Sequence, residues 1–256
     1  MTIDIVVVNY HTPEDLEEFT DSLYRHPPSQ PATLTIVDVE AEVQFEPFQW
    51  VGGPGIRLGF PDNIGYAGAC NAAVTYGSGE HLALFNADVT LSDGAVDHCS
   101  RWLNEPGVGV VGPRQVDAAG KIRHAGIFGS HRRPVHRGWG AQDRGQYHDV
   151  CDAVTVSGSA YFVRRDVWRQ LTLCPLYQEI VPDASGAFLP TPHYYEETWC
   201  SYHAAAHGHR VLYCGEVTVM HKWHRASPVG GFADTQMPVS RALFRKACEH
   251  HGIECD

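Results

Sequence analysis

The chain has 256 residues, 43% of them hydrophobic and 19% charged, which is long and apolar enough to bury a full core and unlike a disordered polypeptide. Its formal charge of −11 argues against a nucleic-acid binder, whose surface is normally basic, but leaves room for a local pocket that holds a small anion. No stretch approaches the roughly 18 apolar residues needed to span a bilayer, and Met1-Thr2-Ile3-Asp4 lacks the basic start of a signal peptide, so the expectation is a cytoplasmic protein with at most peripheral membrane contact.

Ile3 to Val8 is a continuous run dominated by β-branched residues, the pattern of a strand covered on both faces. A helix start follows: Thr12 at the N-cap, Pro13 at the first helical position, Glu14 and Asp15 against the positive dipole end, and Leu16, Phe19 and Leu23 at helical spacing. Thr33 to Val39 reads as the second strand, so the opening is strand, helix, strand, which favours an α/β fold with a parallel sheet. Residues 47–62, rich in Gly and Pro, read as connecting structure around a short strand. Gly65 to Tyr76 is a small, Ala-rich helix and His81 to Asn86 the next strand. Ser92 caps a helix whose Val96, Cys99 and Leu103 face inward, and Val108 to Val111 forms another short strand.

The second half is less regular. Residues 113–150 carry many Arg, His and Gly and are expected as loops with a hairpin. Val154 to Val163 reads as a strand interrupted at Ser157-Gly158-Ser159, and 173–192 as a long, mobile loop. A helix over Trp199 to His207 ends at Gly208, strands follow over Arg210–Cys214 and Val217–Met220, and Val239, Leu243 and Ala247 mark a final helix. The eight cysteines include no Cys-x-x-Cys pair and read as free buried thiols; most of the sixteen histidines stand alone.

Four segments carry chemistry. In Leu84-Phe85-Asn86-Ala87-Asp88-Val89 an apolar strand ends in an Asn-x-Asp. The carboxylate there either caps the next turn or holds a divalent cation against a diphosphate. Upstream, Asn63-Ile64-Gly65-Tyr66-Ala67-Gly68-Ala69-Cys70-Asn71 is a glycine-containing turn leading into a helix, whose amino end favours an anion; it is neither a Walker loop nor a dinucleotide fingerprint. Glu196 and Glu197 precede a helix, where they either stabilise its first turn or supply a general base. Finally, His221-Lys222-Trp223-His224-Arg225 places an imidazole able to join Asp88 on a metal, beside basic residues that either face a phosphate or remain solvated.

Together these segments resemble the family 2 glycosyltransferases of the GT-A fold, a mostly parallel central sheet flanked by helices, and most closely the rhamnosyltransferase-like branch. The likeness runs from Ile3 to about Ser227. Ile5 to Tyr10 is similar to the family's opening nucleotide element, Ile36-Val37-Asp38 to its second, 63–71 to its Asn-x-Gly-Phe/Tyr motif, and Asn86-Ala87-Asp88 to its metal-binding Asp-x-Asp variant. Val108 to Pro113 looks like its Val-Gly-Val-Val-Gly-Pro run. Val156 to Arg165 resembles its Ser-Gly-Ala segment on the acceptor side, Glu196-Glu197 its Glu-Asp pair, and His221 its late histidine.

The resemblance implies one catalytic domain, with residues 1–112 binding the nucleotide sugar, 113–230 serving acceptor and catalysis, and 231–256 adding a helix. It implies Mn²⁺ or Mg²⁺ on Asp88 and His221, and a donor held by Asn9, Tyr10, Asp38, Asn63, Gly65, Asn71 and Asn86. Glu197 becomes the base beside Glu196, with Ser157 and Gly158 toward the acceptor, which is a glycan, a lipid-linked glycan or a protein; Trp199 faces either that acceptor or the core. A non-catalytic binding module on the same scaffold is an alternative. A sugar-1-phosphate nucleotidyltransferase is less consistent, because Asn9-Tyr10-His11-Thr12-Pro13 lacks the Gly-rich, basic loop of that class.

Overall fold

A computed structural model describes residues 1–223 and 232–255 of the chain. His224 and Arg225, named above as part of a basic run, lie outside the described residues. The chain opens with β1 (Ile3–Asn9), α1 (Pro13–Arg25) and β2 (Ala32–Val39), then a hairpin of β3 (Gln44–Trp50) and β4 (Gly53–Phe60). Next come α2 (Gly65–Ala73) with a 3-10 turn, β5 (His81–Asn86), β6 (Val89–Thr90), α3 (Ala95–Leu103) and β7 (Val108–Val116). Short strands β8 (Ile122–His124), β9 (Ile127–Ser130), β10 (Arg133–His136) and β11 (Val150–Asp152) lead to β12 (Ala160–Arg164), α4 (Arg165–Thr172) and α5 (Pro175–Ile180). The chain finishes with α6 (Glu196–Ala206), β13 (Arg210–His221) and α7 (Phe232–His250).

One sheet runs through the molecule in the order β11-β13-β7-β12-β5-β1-β2-β4-β3. Strands β5, β1, β2 and β4 are parallel, as the strand-helix-strand opening predicts, and β12 enters antiparallel between β5 and β7. All of β1 is buried, which explains why it is apolar on both faces apart from Asp4, whose carboxylate pairs with Arg165 and accepts from the Thr33 hydroxyl, and Asn9 at its end. Phe19 of α1 packs on Phe85 of β5 on one face, while Ala67, Ala69 and Cys70 of α2 bring that helix close on the other. The parallel strands all end on one edge, where Asn9 pairs with Asp38 and Val8 with Asn86. Because β12 is antiparallel, the Ser157-Gly158-Ser159 turn before it reaches the same edge, and Ser159 accepts the Asn86 amide through its carbonyl (3.0 Å). Carboxyl ends of parallel strands are where α/β sheets open toward ligands.

The structure corrects several expectations. Residues 47–62 are not a connection: β3 and β4 form a full antiparallel hairpin on the sheet edge. Its glycines are sites of close approach, since a Cβ at Gly55 would fall 2.4 Å from the Phe48 ring. Pro47 is tolerated because β3 is the outermost strand. Thr12 occupies the N-cap position but makes no cap bond; its hydroxyl and amide both donate to Asn9 Oδ1 (3.2 Å each). The third helix starts at Ala95 after Gly94, not at Ser92, whose carbonyl accepts the Ala95 amide. The two late strands are one, β13, with a register irregularity between Cys214 and Thr218.

The segment 173–192 differs most from its expectation. It contains α5, and Ala187, Phe188 and Leu189 are fully buried. Phe188 packs among Tyr161, Trp168 and Tyr66, so this stretch is a plug in the core rather than a mobile cover.

Candidate active site

A cleft of about 300 Å³ lies along the carboxyl edge of the sheet. Its floor comes from the ends of β1 and β5, its sides from the first turns of α2 and α6, and its far wall from β13 and the 123–139 region.

Asp88 stands in the tight turn between β5 and β6, and just before it the Ala87 amide donates to the Val8 carbonyl of β1 (3.1 Å), tying the start of the turn to the neighbouring strand. Its Oδ1 lies 3.3 Å from His221 Nε2, and both side chains are nearly buried. Burial opposes ionisation of this carboxyl, but the hydrogen bond and charge of His221, with Lys222 nearby, outweigh it and hold the pKa below the ordinary value. His221 is placed by the β6–β13 pairing, where it faces Val89. Lys222, next in the chain, bonds Asp15 (2.6 Å) and Glu18 (2.8 Å) of α1, and its amide donates to the Asp88 carbonyl (3.0 Å). Its ammonium is therefore an anchor for the end of β13, not a solvated charge.

Across the cleft, α6 begins immediately after Tyr194 and Tyr195, both in the left-handed region (φ 64° and 73°). That turn delivers Glu196 and Glu197 into the wall. Burial first, then the charge of Glu197, pushes the Glu196 carboxyl up to about 8; burial also raises Glu197. Glu196 accepts a weak bond from Thr191 (3.3 Å), whereas Glu197 Oε2 is buried with no hydrogen-bond partner among the described residues. Gly158 packs flat on Glu197: a Cβ there would lie 3.2 Å from the Glu197 Cβ and Cγ. The Tyr66 hydroxyl donates to the Gly158 carbonyl (2.7 Å) and fixes that backbone.

Of the other predicted donor residues, Tyr10, Asn63, Gly65 and Asn86 line the cleft. Gly65 (φ 68°) opens α2 with its amide on Asn63 Oδ1 (3.0 Å). Asn9 and Asp38 do not line it. Asn9 donates to Asp38 (2.7 Å), which also receives Arg57 (2.6 Å), so the pair secures the strand ends. Asn71 is also elsewhere: its amide group clamps both the carbonyl (2.9 Å) and the amide (3.1 Å) of Phe188. Trp199 is fully buried beneath α6, stacked on Tyr177, and faces no cleft. Ser157 and Gly158 do line it.

Sequence reading missed the far wall. Trp139 and Trp223 meet edge to face at 5.0 Å, and the Arg123 guanidinium lies 4.6 Å over the Trp223 ring. His136 and Gln115 join them, and Gln115 Nε2 is a buried donor without a partner among the described residues. These residues are scattered over a hundred positions; the signal available was an aromatic flanked by glycines, Gly138-Trp139-Gly140. Strain concentrates here too. Of the six non-glycine residues with positive φ among the described residues, five (His11, Glu40, Tyr194, Tyr195 and Trp223) sit in or next to segments that border the cleft. Such conformations persist only where the surroundings enforce them.

No family profile and no curated protein sequence matches this chain. Solved structures do. A mannosyltransferase from Pyrobaculum calidifontis in complex with GDP-Man and Mn²⁺ aligns over 96% of this chain and 69% of its own, with a TM-score of 0.56 and 15% identity. TarS residues 1–349 from S. aureus in complex with UDP-GlcNAc aligns over 98% and 65% (TM-score 0.60, 12% identity). GalNAc-T7 with UDP, GalNAc and Mn²⁺ aligns over 99% and 55% (TM-score 0.63, 13% identity). The chain thus has the GT-A glycosyltransferase fold. Among the described residues no helix is long and apolar enough to cross a membrane.

Proposed function

We propose that the chain is an inverting glycosyltransferase that moves a hexosyl or deoxyhexosyl group from a nucleotide diphosphate to a hydroxyl. The observation that carries this reading is a buried carboxylate–imidazole pair, Asp88 and His221, sharing one cleft with the unpartnered carboxylate oxygen of Glu197. The three solved relatives are bound to nucleotides or nucleotide sugars, two of them with Mn²⁺, which supports the same ligand class here. The rhamnosyltransferase-like motifs favour a deoxyhexose donor and a glycan, lipid-linked or protein acceptor, handled in the cytoplasm.

Oxygen and nitrogen donors 3.3 Å apart at the end of two strands suit Mn²⁺ or Mg²⁺. A divalent ion bound there supplies positive charge against the pyrophosphate as it leaves. Around it, Tyr10 and Asn63 hold the nucleoside, and the amino end of α2 at Gly65 and Tyr66 faces the anionic part of the donor. Gln115 Nε2 donates to the sugar or phosphate. Glu197, packed against Gly158, takes the proton of the acceptor hydroxyl as it attacks opposite the leaving group. Glu196, raised by burial and by the charge of Glu197, sets the electrostatic environment of the base.

A binding screen of UDP-, GDP- and dTDP-sugars with and without Mn²⁺ tests the proposal. One donor should bind in a metal-dependent way, and Asp88→Ala should abolish that dependence and lower transfer by roughly 100-fold or more. Metal-dependent affinity that survives Asp88→Ala would overturn the assignment.

A further inference from the structure

On the far side of α6 from the cleft, three side chains from three elements converge. Cys174 is the residue before α5, His203 lies in α6, and His251 follows α7; their ligand atoms all lie within 4.8 Å of one another. Cys174 and His203 are buried and His251 is partly so. Both ring nitrogens of His203, and Nε2 of His251, are buried without a hydrogen-bond partner among the described residues. Buried imidazole nitrogens are normally satisfied, so unpartnered nitrogens on two imidazoles beside one thiol call for an explanation. The surrounding rings of Trp199 (4.8 Å from His203 and 4.9 Å from His251) and Tyr177 orient the imidazoles but accept no hydrogen bond from them.

We infer that Cys174, His203 and His251 form a structural Zn²⁺ site. One thiolate and two imidazoles are a borderline-soft set that selects zinc over the hard, oxygen-seeking Mg²⁺ and Mn²⁺. In a tetrahedral zinc site such ligand atoms stand about 3.3–3.6 Å apart. Side-chain rotations of about an ångström bring the present set to that spacing. Binding converts the Cys174 thiol to a zinc thiolate and releases its proton to solvent, with no redox change. These three side chains would leave one tetrahedral position for a water molecule. The site lies behind the Trp199 ring, off the cleft, so its role is to fasten helices: it ties α5 and α7 to α6, two turns along from Glu196 and Glu197. This inference does not rest on the transferase reading.

The test uses the full chain carrying Asp88→Ala, so that the cleft contributes no metal. The protein is reduced, stripped with chelator and titrated with Co²⁺ as a spectroscopic stand-in. One equivalent should give a thiolate-to-cobalt charge-transfer band together with tetrahedral d–d bands, both displaced by Zn²⁺. Cys174→Ser should remove the charge-transfer band. His251→Gln, at the rim of the cluster, should weaken Co²⁺ binding about tenfold or more while preserving the circular-dichroism spectrum. Absence of the band in the reduced parent, or its persistence in Cys174→Ser, would overturn the site. Where Cys174→Ser fails to fold, unchanged Co²⁺ affinity in His251→Gln does the same.

Discussion

Replacing Gly158 with alanine adds a single methyl group against the proposed base. That methyl would meet the Glu197 Cβ and Cγ at 3.2 Å and its Cδ at 3.4 Å, whereas relaxed carbon contacts lie at about 3.5–4.0 Å. The Gly158 backbone is held by the Tyr66 hydroxyl, so the glutamate arm is what retreats, by about 0.3–0.8 Å. If about 1 Å of misplacement costs roughly a hundredfold in rate, this retreat should lower kcat about 4- to 40-fold, or about 0.8–2.2 kcal/mol of barrier. The φ of Gly158 is not in the left-handed region, so alanine adds no backbone strain. Steady-state transfer with the donor identified by the screen gives kcat, and calorimetry gives donor affinity, which should not change because Asp88 and His221 are untouched. The decisive comparison is a double-mutant cycle: in a Glu197→Gln background the alanine should cost nothing further. A loss of equal size in that background, or a fall in donor affinity, would refute the link between Gly158 and the base.

Glu197→Gln itself should lower kcat by about 10²–10⁴-fold while leaving donor binding intact. The same substitution should alter stability in a pH-dependent way. Both carboxyls of the pair have folded-state pKa values above the 4.5 of an ordinary glutamate, so the folded chain binds more protons and the parent loses stability as pH rises through the folded values. Urea midpoints measured from about pH 5 to pH 8 should therefore fall less in Glu197→Gln than in the parent; an identical slope refutes the burial argument. Asn71→Ala removes both clamps on Phe188 and should destabilise the fold by about 1–3 kcal/mol, with early proteolytic nicking in the 181–192 segment as the visible mark. Wild-type protease resistance there would show that Phe188 packing and the Tyr177 hydroxyl, which donates to the Phe188 carbonyl (2.9 Å), hold the plug without Asn71.

The elements that sequence reading recovered are those whose signal is local. β1 and β5 announce themselves by burial on both faces, and α1 by Pro13 and the acidic first turn. Asp88, His221 and the carboxylate pair stand out in the sequence because each lies just past a strand, at its end, or at the start of a helix. The β3–β4 hairpin was hidden because its glycines serve ring-against-backbone contacts across strands, which look like breaks in a one-dimensional pattern. Asn71 was read as a ligand contact, yet its partner, Phe188, is 117 residues away. Trp199 was ambiguous for the opposite reason: its position beside the base says nothing about which face of α6 it occupies, and packing against Tyr177 decides it. The far wall combines β8, β10 and the residue two after β13, so no window of the sequence contains it.

The position of β12 bears on how the protein is made. This strand, residues 160–164, is wedged between β5 and β7, both of which are translated before it. Until the ribosome has released residue 164, those two earlier strands have unsatisfied edges facing each other across a gap, a template for pairing with other nascent chains. His221 emerges later still, so an incomplete polypeptide presents Asp88 without its imidazole partner. Expressing residues 1–112 by themselves should therefore yield aggregates rather than a small nucleotide-binding protein.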